Sequence, residues 1–551
     1  METGSAPLKA RSWAKRLECP IDEDADYVND RWTNRDLIPI PPERRTYGIA
    51  SFAIYWLVSG ACISAYSTGS SLLAYGLTAQ QSMACVVVGG VIAGLLSVAC
   101  GWMGERHHIG FTCASRFSWG MRGSYFPVLI RVFTSIWWFG IQSYWGGQAV
   151  RVMLGAIIPG LAHMKNTIPL SSHIETKDLI GLLIWYAMYI PFVLIPPERL
   201  QRPFAISSAM FMATLVGLLI WSVHTTGGGG PLFHTVNTAQ NTSWSIMYGI
   251  TSILGSWGSG TLGQNDWTRY ANRRYAPTLS QLVAAPVTIT VTALLGVIIT
   301  SASSSILTEQ TTLLWSPITL LAAIQEHYGS SPRVRAAVFF GGLGCSVSQL
   351  SINVVLNSVS AGMDMAGLAP RWINIRRGAY ILALFGIVSN PWQILATAAT
   401  FLAVISGLGA LLAPMTGIML ADYFVVRKQT LKMEDLYIGS ADSIYWFDFG
   451  FNWRALVAWA IGTVVIFPGF IMVLIDSTND NTWVRLFNMS FLVGVALGFV
   501  AFWAICAVFP PPNLGEGVRS QDEAMVFGHK SGLSSIQSAR EGSSDDIKNA
   551  V

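Results

Sequence analysis

Residues 56–71, WLVSGACISAYSTGSS, decide the fold predicted for this chain. The stretch lies within an apolar run long enough to cross a bilayer, yet it consists mostly of small residues and contains Gly60 and Gly69. Backbone polar groups inside a bilayer must be satisfied within the protein, so an unwound stretch is tolerated only beside a cavity or packed protein. We therefore expect the first span to be interrupted here and to border a cavity.

A second stretch of the same kind occurs at 249–266, GITSILGSWGSGTLGQND, with five glycines. The two stretches belong to the first spans of two successive five-span units. Corresponding broken helices in two halves indicate a binding site near the membrane midplane, between inverted repeats. Glycines also serve close helix packing, which is the alternative interpretation. The matching positions of the two stretches favour broken helices.

The composition is that of a polytopic membrane protein. Only 12% of the 551 residues are charged and 52% are hydrophobic, whereas soluble proteins carry about 25% charged residues. The apolar residues fall into twelve runs of a length suited to transmembrane helices. The expected spans are 47–75, 83–104, 126–155, 179–196, 203–223, 244–266, 281–302, 336–362, 373–390, 394–424, 455–475 and 486–508. Residues 313–325 form a shorter apolar segment, which we interpret as a re-entrant or interfacial helix.

Lysine and arginine are distributed unevenly between the predicted loops. With the N-terminus in the cytoplasm, basic loops such as PPERLQRP, RYANRRYAP and RWINIRRG fall on the inner side, whereas the outer loops TAQQS and SNPWQ contain neither residue. Arg333 and Arg335 are exceptions. His107 and His108 are interpreted as part of the inner-loop charge pattern. The expected organisation is a cytoplasmic N-terminal tail over 1–46, a transmembrane core over 47–508 and a disordered cytoplasmic C-terminal tail over 509–551.

Polar and aromatic side chains recur at depth in three of the spans. Trp138 and Gln142 are four residues apart on the third span and share a helix face. Trp257 lies in the glycine-rich stretch of the sixth, and Asn353 and Asn357 are again four apart on the eighth. Indole faces offer flat stacking surfaces, and primary amides both donate and accept hydrogen bonds. Together they suit a small planar ligand with ureide or lactam edges.

Each of these residues also has a structural interpretation. Amides in spans often bond to a neighbouring helix, with a contribution of about 0.6 kcal/mol, and tryptophans often anchor a helix at the membrane interface. As a set, the five favour a binding site. We interpret the carboxylates of Asp266, Asp364 and Asp422 as interfacial partners of arginines such as Arg269, with a role in ion coupling as the alternative. Walker, HExxH and GxSxG motifs are absent from the sequence, which argues against an enzyme.

Several motifs resemble those of one transporter family. RFSWGMRGSYFPVLIR, WWFGIQSYWGGQA, NDWTRYA, SAGMDMAGLAPRWINIRRG and PMTGIMLADYFVVRK occur in consistent order. They are similar to the nucleobase:cation symporter-1 family, and most to its fungal branch of uracil, allantoin and uridine permeases, which also includes thiamine and nicotinamide riboside carriers. The similarity extends over roughly residues 30–480. It is specific for the family and only weakly specific for the substrate.

The resemblance implies a leucine-transporter-like fold of two inverted five-helix repeats plus two helices, alternating access and proton symport at the plasma membrane. It places substrate contacts on Trp138, Gln142, Trp257 and on Asn357 or Asn353. A sodium ion, the alternative to the proton, would lie near Ser348 and Ser351.

No cofactor, nucleic acid or obligate protein partner is expected besides the heterocyclic substrate and the bilayer. The first span lacks the asparagine of many uracil and allantoin carriers, so a thiamine or nicotinamide riboside transporter is the alternative substrate class. A non-transporting nutrient sensor is the alternative of another class.

Overall fold

The computed structural model describes residues 15, 17–21, 27–234, 237–239, 241–329, 331–476 and 478–520. Within these ranges the chain is helical, and β structure is limited to isolated bridges such as those between Tyr47 and Ala271 and between Leu431 and Val518. The principal helices are α1 Ile49–Gly60, α2 Ile63–Ala74, α3 Ala79–His107, α4 Phe111–Trp119, α5 Tyr125–Ile157, α6 Thr176–Phe192, α7 Gln201–Thr226, α8 Thr242–Leu262, α9 Ala276–Ile306, α10 Pro317–Tyr328, α11 Pro332–Leu368, α12 Ile375–Val388, α13 Ala398–Val426, α14 Trp453–Ile475, α15 Thr482–Asn488 and α16 Ser490–Val508. Shorter helical turns are Pro42–Arg44, Pro159–Ala162, Leu170–Ser172, Pro197–Arg199, Pro231–Phe233, Asn265–Thr268, Pro391–Ile394 and Glu434–Tyr437.

Local sequence explains where several of these helices begin. At the start of α3, Thr78 and Gln81 form a reciprocal capping box, which satisfies two backbone N–H groups that the helix itself leaves free. Ser331 and Thr397 cap α11 and α13 through their side-chain oxygens. α3 ends at His108, which adopts a left-handed conformation with φ 54°.

The first predicted break is confirmed and the second is wrong. α1 and α2 are separate helices bent by 43° at Ala61 and Cys62. In contrast, α8 runs without interruption from Thr242 to Leu262. Its glycines pack closely instead: a Cβ on Gly255 would lie 2.5 Å from the carbonyl oxygen of Ile405. The packing alternative therefore holds for α8, and the chain leaves the helix only at Gly263.

The predicted count of twelve spans is not confirmed by the length and composition of the helices. By length and composition, seven described helices could cross a membrane, and eight if the bent pair α1–α2 forms one span. The other four predicted spans correspond to helices that are shorter or more polar, namely α5, α6, α8 and α12. The segment predicted to be too short to cross, 313–325, overlaps α10, a helix of 12 residues.

The helices form two groups with the central cavity between them. In the first, α3 packs along α8 and α9, and α9 in turn packs along α1 and α2. In the second, α5 packs along α6, α11 and α12. α13 and α16 form a close pair that contacts α8. The break between α1 and α2 thus faces α5 and α11 across the centre of the protein.

The described parts of both predicted tails pack against the core. We call residues 27–46 the N-terminal strap. Its Asn34 donates from Nδ2 to the carbonyl oxygens of Pro370 and Ile373, each at 3.1 Å, and its Trp32 accepts from Arg116 at 2.9 Å. At the other end, within residues 509–520, Val518 and Leu431 bond through their backbones. The rest of the predicted disordered C-terminal tail, 521–551, lies outside the described residues.

Candidate functional site

A small cavity lies where α1, α2, α5, α8 and α11 meet. Its volume of about 20 Å³ suffices for a water-sized molecule, so a heterocycle fits only after the surrounding helices move apart. Four of the five predicted binding residues line it together. The full lining is Ser59, Cys62, Ser64, Trp138, Gln142, Ser256, Trp257, Ser259, Gly260, Ile352, Leu356 and Asn357.

Both the nitrogen and the oxygen of the Gln142 side-chain amide form hydrogen bonds. Its Nε2 donates to the Oγ of Ser64 at 2.5 Å, and its Oε1 accepts from the Nε2 of Gln349 at 2.7 Å. Gln349 was missed in the sequence, although it lies four residues before Asn353 and therefore on the same helix face. The Oε1 of Gln349 is buried without a hydrogen-bond partner among the described residues. The amide of Gln142 is thus fixed in orientation before any ligand binds.

The two predicted tryptophans face the cavity from opposite helix groups. Trp138 belongs to α5, and Trp257 belongs to α8. The indole Nε1 of Trp257 donates to the carbonyl oxygen of Ser59 at 3.3 Å. Ser59 lies in the last turn of α1, where helical bonding stops and carbonyl groups are left for other partners. The break in the first span therefore positions the ring of Trp257.

Asn353 and Asn357 take different positions, because α11 widens into a π-helix over Asn353–Val359. Asn357 lines the cavity and donates to the Oδ1 of Asn353 at 2.8 Å. Asn353 is fully buried behind it and donates to Phe139 and Ser143 of α5. π-turns are rare and occur often at functional sites. The spacing of four residues between Asn353 and Asn357 does not indicate that this part of α11 is a π-helix.

The two serines of the predicted cation region do not line the cavity. Ser348 and Ser351 are buried in α11, within two turns before the π-helix. The described residues contain no cluster of three or more His, Cys, Asp or Glu side chains that could hold a metal ion.

A charged triad lies further along the same helices. Arg131 of α5 bonds to Asp266 through Nη2 at 2.5 Å, and to Asp364 of α11 through Nε at 2.5 Å and Nη2 at 2.9 Å. All three side chains are fully buried. Thr112 donates to Asp364 at 2.9 Å. Gly263 leaves room for the guanidinium, since a Cβ there would lie 2.8 Å from the Cζ of Arg131.

This triad corrects the interpretation of the carboxylates. Asp266 and Asp364 are buried inside the protein, and their arginine is Arg131 rather than Arg269, which donates to the backbone of Asp36. Asp422 is likewise fully buried, with Arg427 as its partner.

The histidines are corrected too. His107 and His108 are buried rather than part of an exposed loop. His107 bonds to Tyr423 through Nε2 at 3.1 Å, and His108 bonds to the carbonyl oxygen of Arg269 through Nδ1 at 3.0 Å.

A group of aromatic rings lies beyond Gln142 along α5. Trp145 lies about one turn beyond Gln142 on α5 and contacts Phe401 at a centroid distance of 5.7 Å. Phe401 stacks on Trp315 at 5.3 Å, and the Trp315 carbonyl oxygen accepts from Ser70 of α2 at 2.7 Å. A second, more polar cavity of about 390 Å³ lies beyond these rings. Trp145 and Trp315 line this second cavity.

Comparison with known proteins identifies the family. The profile of the family described as "Permease for cytosine/purines, uracil, thiamine, allantoin" matches residues 39–494. The chain belongs to this permease family. The transporter aclS of Aspergillus oryzae is 32% identical over 543 residues, covering 88% of each chain. The uracil permease of Saccharomyces cerevisiae is 29% identical, covering 87% of this chain and 76% of that one. The thiamine transporter of the same yeast is 28% identical, covering 90% and 82%.

The solved structures of Mhp1, a nucleobase-cation-symport-1 family transporter, share the fold. The inward-facing conformation has a TM-score of 0.67 at 21% identity, covering 89% of this chain and 97% of Mhp1. The closed conformation with bromovinylhydantoin bound has a TM-score of 0.64 at 20% identity, covering 87% and 97%. The predicted fold class, an all-helical transporter of the leucine-transporter-like kind, is confirmed. This permease is a multi-pass membrane transporter and not an enzyme.

Proposed function

We propose that this permease imports a small planar heterocycle, such as uracil, allantoin or uridine, together with a proton across the plasma membrane, with both termini in the cytoplasm. The observation that carries the substrate class is the convergence of Trp138, Gln142, Trp257 and Asn357 on one cavity. Two indoles from opposite helix groups provide stacking faces for a ring, and two amides provide donors and acceptors for its edge. The names of the relatives agree with such a ligand.

Binding is an exchange of hydrogen bonds in this proposal. The substrate carbonyl takes the place of the Ser64 hydroxyl as the acceptor for Gln142, while Gln349 keeps the amide in orientation. A bound ring contacts α5 through Trp138 and α8 through Trp257, so it holds the two helix groups together. A ligand shifts a conformational equilibrium only by its differential affinity for the two states. Because the bound ring contacts both helix groups only when they are close together, it has a higher affinity for the closed state.

The charged triad supports a proton as the coupling ion. Two carboxylates and one guanidinium leave one negative charge in excess, and all three groups are fully buried. Burying an unpaired charge is costly, and one proton on Asp364 removes the excess. Protonation of Asp364 also removes one of the carboxylate acceptors to which Arg131 donates. The contact between α11 and α5 is weakened as a result. Ser348 and Ser351, the predicted region for a sodium ion, do not line the cavity.

Uptake in yeast tests the proposal. Radiolabelled uracil is offered to permease-deleted cells expressing the chain, with unlabelled allantoin, uridine, cytosine, thiamine and nicotinamide riboside as competitors. We expect accumulation that a protonophore abolishes and that replacement of sodium by choline leaves unchanged. Gln142→Ala should abolish it, whereas Gln80→Ala, at an exposed glutamine near the start of α3, should have no effect. Accumulation that depends on sodium would refute the proton as coupling ion.

The alternative substrates rest on the small side chains at the helix break. Ser59, Cys62 and Ser64, all smaller than the asparagine expected at this break in uracil and allantoin carriers, line the cavity and leave the ligand one amide fewer to bind. If uracil does not enter despite expression at the cell surface, the assay is repeated with labelled thiamine and nicotinamide riboside. Uptake of either compound would show that the substrate is a vitamin of this kind rather than a nucleobase or ureide. Binding of a ligand without accumulation of any would favour a nutrient sensor.

A further inference from the structure

A long apolar groove separates α7 from α11 on the outer surface of the protein. Its volume is about 720 Å³, and α10 closes one end. The residues that shape it are Ala213, Gly217, Leu218, Ala337, Phe340 and Gly341. Phe340 is 66% exposed at its rim. In a membrane protein, such a surface faces hydrocarbon rather than water.

Small residues form both walls of this groove. A Cβ on Gly217 of α7 would meet no atom within 4 Å, so the space above this residue is open. Ala337 on α11 is also exposed. The ring of Trp221 contacts that of Tyr328 at 6.3 Å, and both line the same end of the groove. Tryptophan and tyrosine are enriched where hydrocarbon gives way to lipid headgroups.

A single cation lies at that end. Arg333 lines the groove and is exposed, and the described residues offer it no hydrogen bond or ion pair. Arg335, the other arginine that departs from the inner-side distribution, has an evident structural role. It donates to the carbonyl oxygens of Ala156 and Ile157, at 2.6 and 2.7 Å, at the end of α5. The charge of Arg333 is therefore the one left without a partner.

The groove has the length of one lipid leaflet. Its α11 wall extends from Arg333 to Leu343, which is about 15 Å at 1.5 Å per residue. The hydrocarbon core of a bilayer is about 30 Å thick. The α7 wall ends near Thr225, on the side opposite the strap, because α7 begins beside Thr46, which accepts from Gln201. The groove thus reaches from headgroup level to about the midplane.

We propose that this groove binds a glycerophospholipid, with one acyl chain between α7 and α11 and the phosphate at Arg333. An arginine is well suited to the phosphate, which it can bind through two parallel hydrogen bonds. The groove accepts the chain without a steric clash at Gly217. The lipid bridges helices of the two halves of the protein and leaves the substrate cavity untouched. The site is therefore independent of the substrate proposed above.

Photolabelling tests the site in the full-length protein. The chain is reconstituted with a phosphatidylcholine that carries a diazirine on its acyl chain, illuminated, and analysed by peptide mass spectrometry. We expect labels on the groove walls, within 210–221 and 334–343, well above those on the exposed face of α14. Gly217→Leu and Ala337→Leu fill the groove from its two sides, and each should reduce groove labelling about tenfold. Gly160→Leu, at an exposed glycine with equally open space, should leave it unchanged.

The headgroup is tested separately. Arg333→Gln should weaken lipid affinity about tenfold, the effect of losing a charge-assisted bond to phosphate, whereas Arg333→Lys should retain most of it. Equal labelling of the groove and of α14, or labelling that survives both leucine substitutions, would overturn the site. Stronger labelling by a photoactivatable sterol, insensitive to Arg333→Gln, would overturn the phospholipid as occupant. Size-exclusion profiles of every variant verify that the protein remains folded.

Discussion

Replacing Asp364 by asparagine removes the excess charge of the triad and keeps its shape. The asparagine retains an acceptor for Thr112 and for the Nη2 of Arg131, which now has only Asp266 as its ionic partner. The Nε of Arg131 loses its acceptor, with a cost of about 1–3 kcal/mol for a buried donor left unpaired. Removal of Arg131 itself would leave two buried carboxylates without a cation, so Asp364→Asn is the milder change.

The expected effect follows from the charge count. One excess carboxylate binds one proton per cycle. With the membrane potential clamped at zero, a gradient of one pH unit is equivalent to about 1.36 kcal/mol, or a tenfold accumulation of substrate. The triad of Asp364→Asn is neutral without a proton, so the variant should equilibrate the substrate at a ratio of about one. It should still exchange labelled for unlabelled substrate, because the residues lining the cavity are unchanged.

Substrate accumulation and substrate exchange can both be measured on one preparation of proteoliposomes. Accumulation is followed under an imposed pH gradient, and exchange is followed without one. Asp480→Asn, at an exposed carboxylate paired with Arg485, is the matched control and should accumulate like the wild type. If Asp364→Asn also accumulates substrate about tenfold, the proton binds elsewhere and the reasoning from the triad is refuted.

Further substitutions address the cavity and the packing around it. Trp138→Ala should raise the KM for uptake about tenfold through lost stacking, and Trp138→Phe should raise it less; concentration series of initial rates measure both. Gly60→Val should lower the melting temperature in detergent, because a Cβ there would lie 2.7 Å from that of Thr288, and overpacking costs about 1–3 kcal/mol. Asn357→Ala should raise KM more than Asn353→Ala, whereas Asn353→Ala should destabilise the protein more; a larger KM effect at Asn353 would contradict the assigned positions.

The sequence predicts which residues line the central cavity better than it predicts the course of the helix that carries Trp257. Small residues at 56–71 do mark a break, which lies at Ala61 and Cys62, although Gly60 and Gly69 themselves pack closely against α9. The glycines of α8 look the same in the sequence, yet the helix stays intact from Thr242 to Leu262, and Gly255 packs closely against α13. Composition alone cannot separate these two uses of glycine. Whether a glycine packs closely or marks a break depends on which backbone lies opposite it. For Gly255 this is the backbone of Ile405.

The triad could not be predicted, because its members are far apart in the chain. Arg131 lies 135 residues from Asp266 and 233 from Asp364. Each alone looks like a charge at the end of a span, where interfacial pairing is the ordinary expectation. Burial changes that interpretation, and burial follows from how α5, α8 and α11 converge. Gln349, in contrast, was accessible from sequence, because its spacing to Asn353 repeats that of Trp138 to Gln142.

The N-terminal strap has a consequence for the rate of transport. It bonds to Pro370 and Ile373 beyond α11, and its Ile40 donates to the carbonyl oxygen of His108 at the end of α3. These anchors belong to different helix groups, so the strap spans the seam between the two groups, which must move apart in the transport cycle proposed above. Its stiffness therefore contributes to the barrier between states while leaving the ligand contacts alone. Evolution could tune turnover here, far from the binding site, by changing a few residues of a peripheral segment.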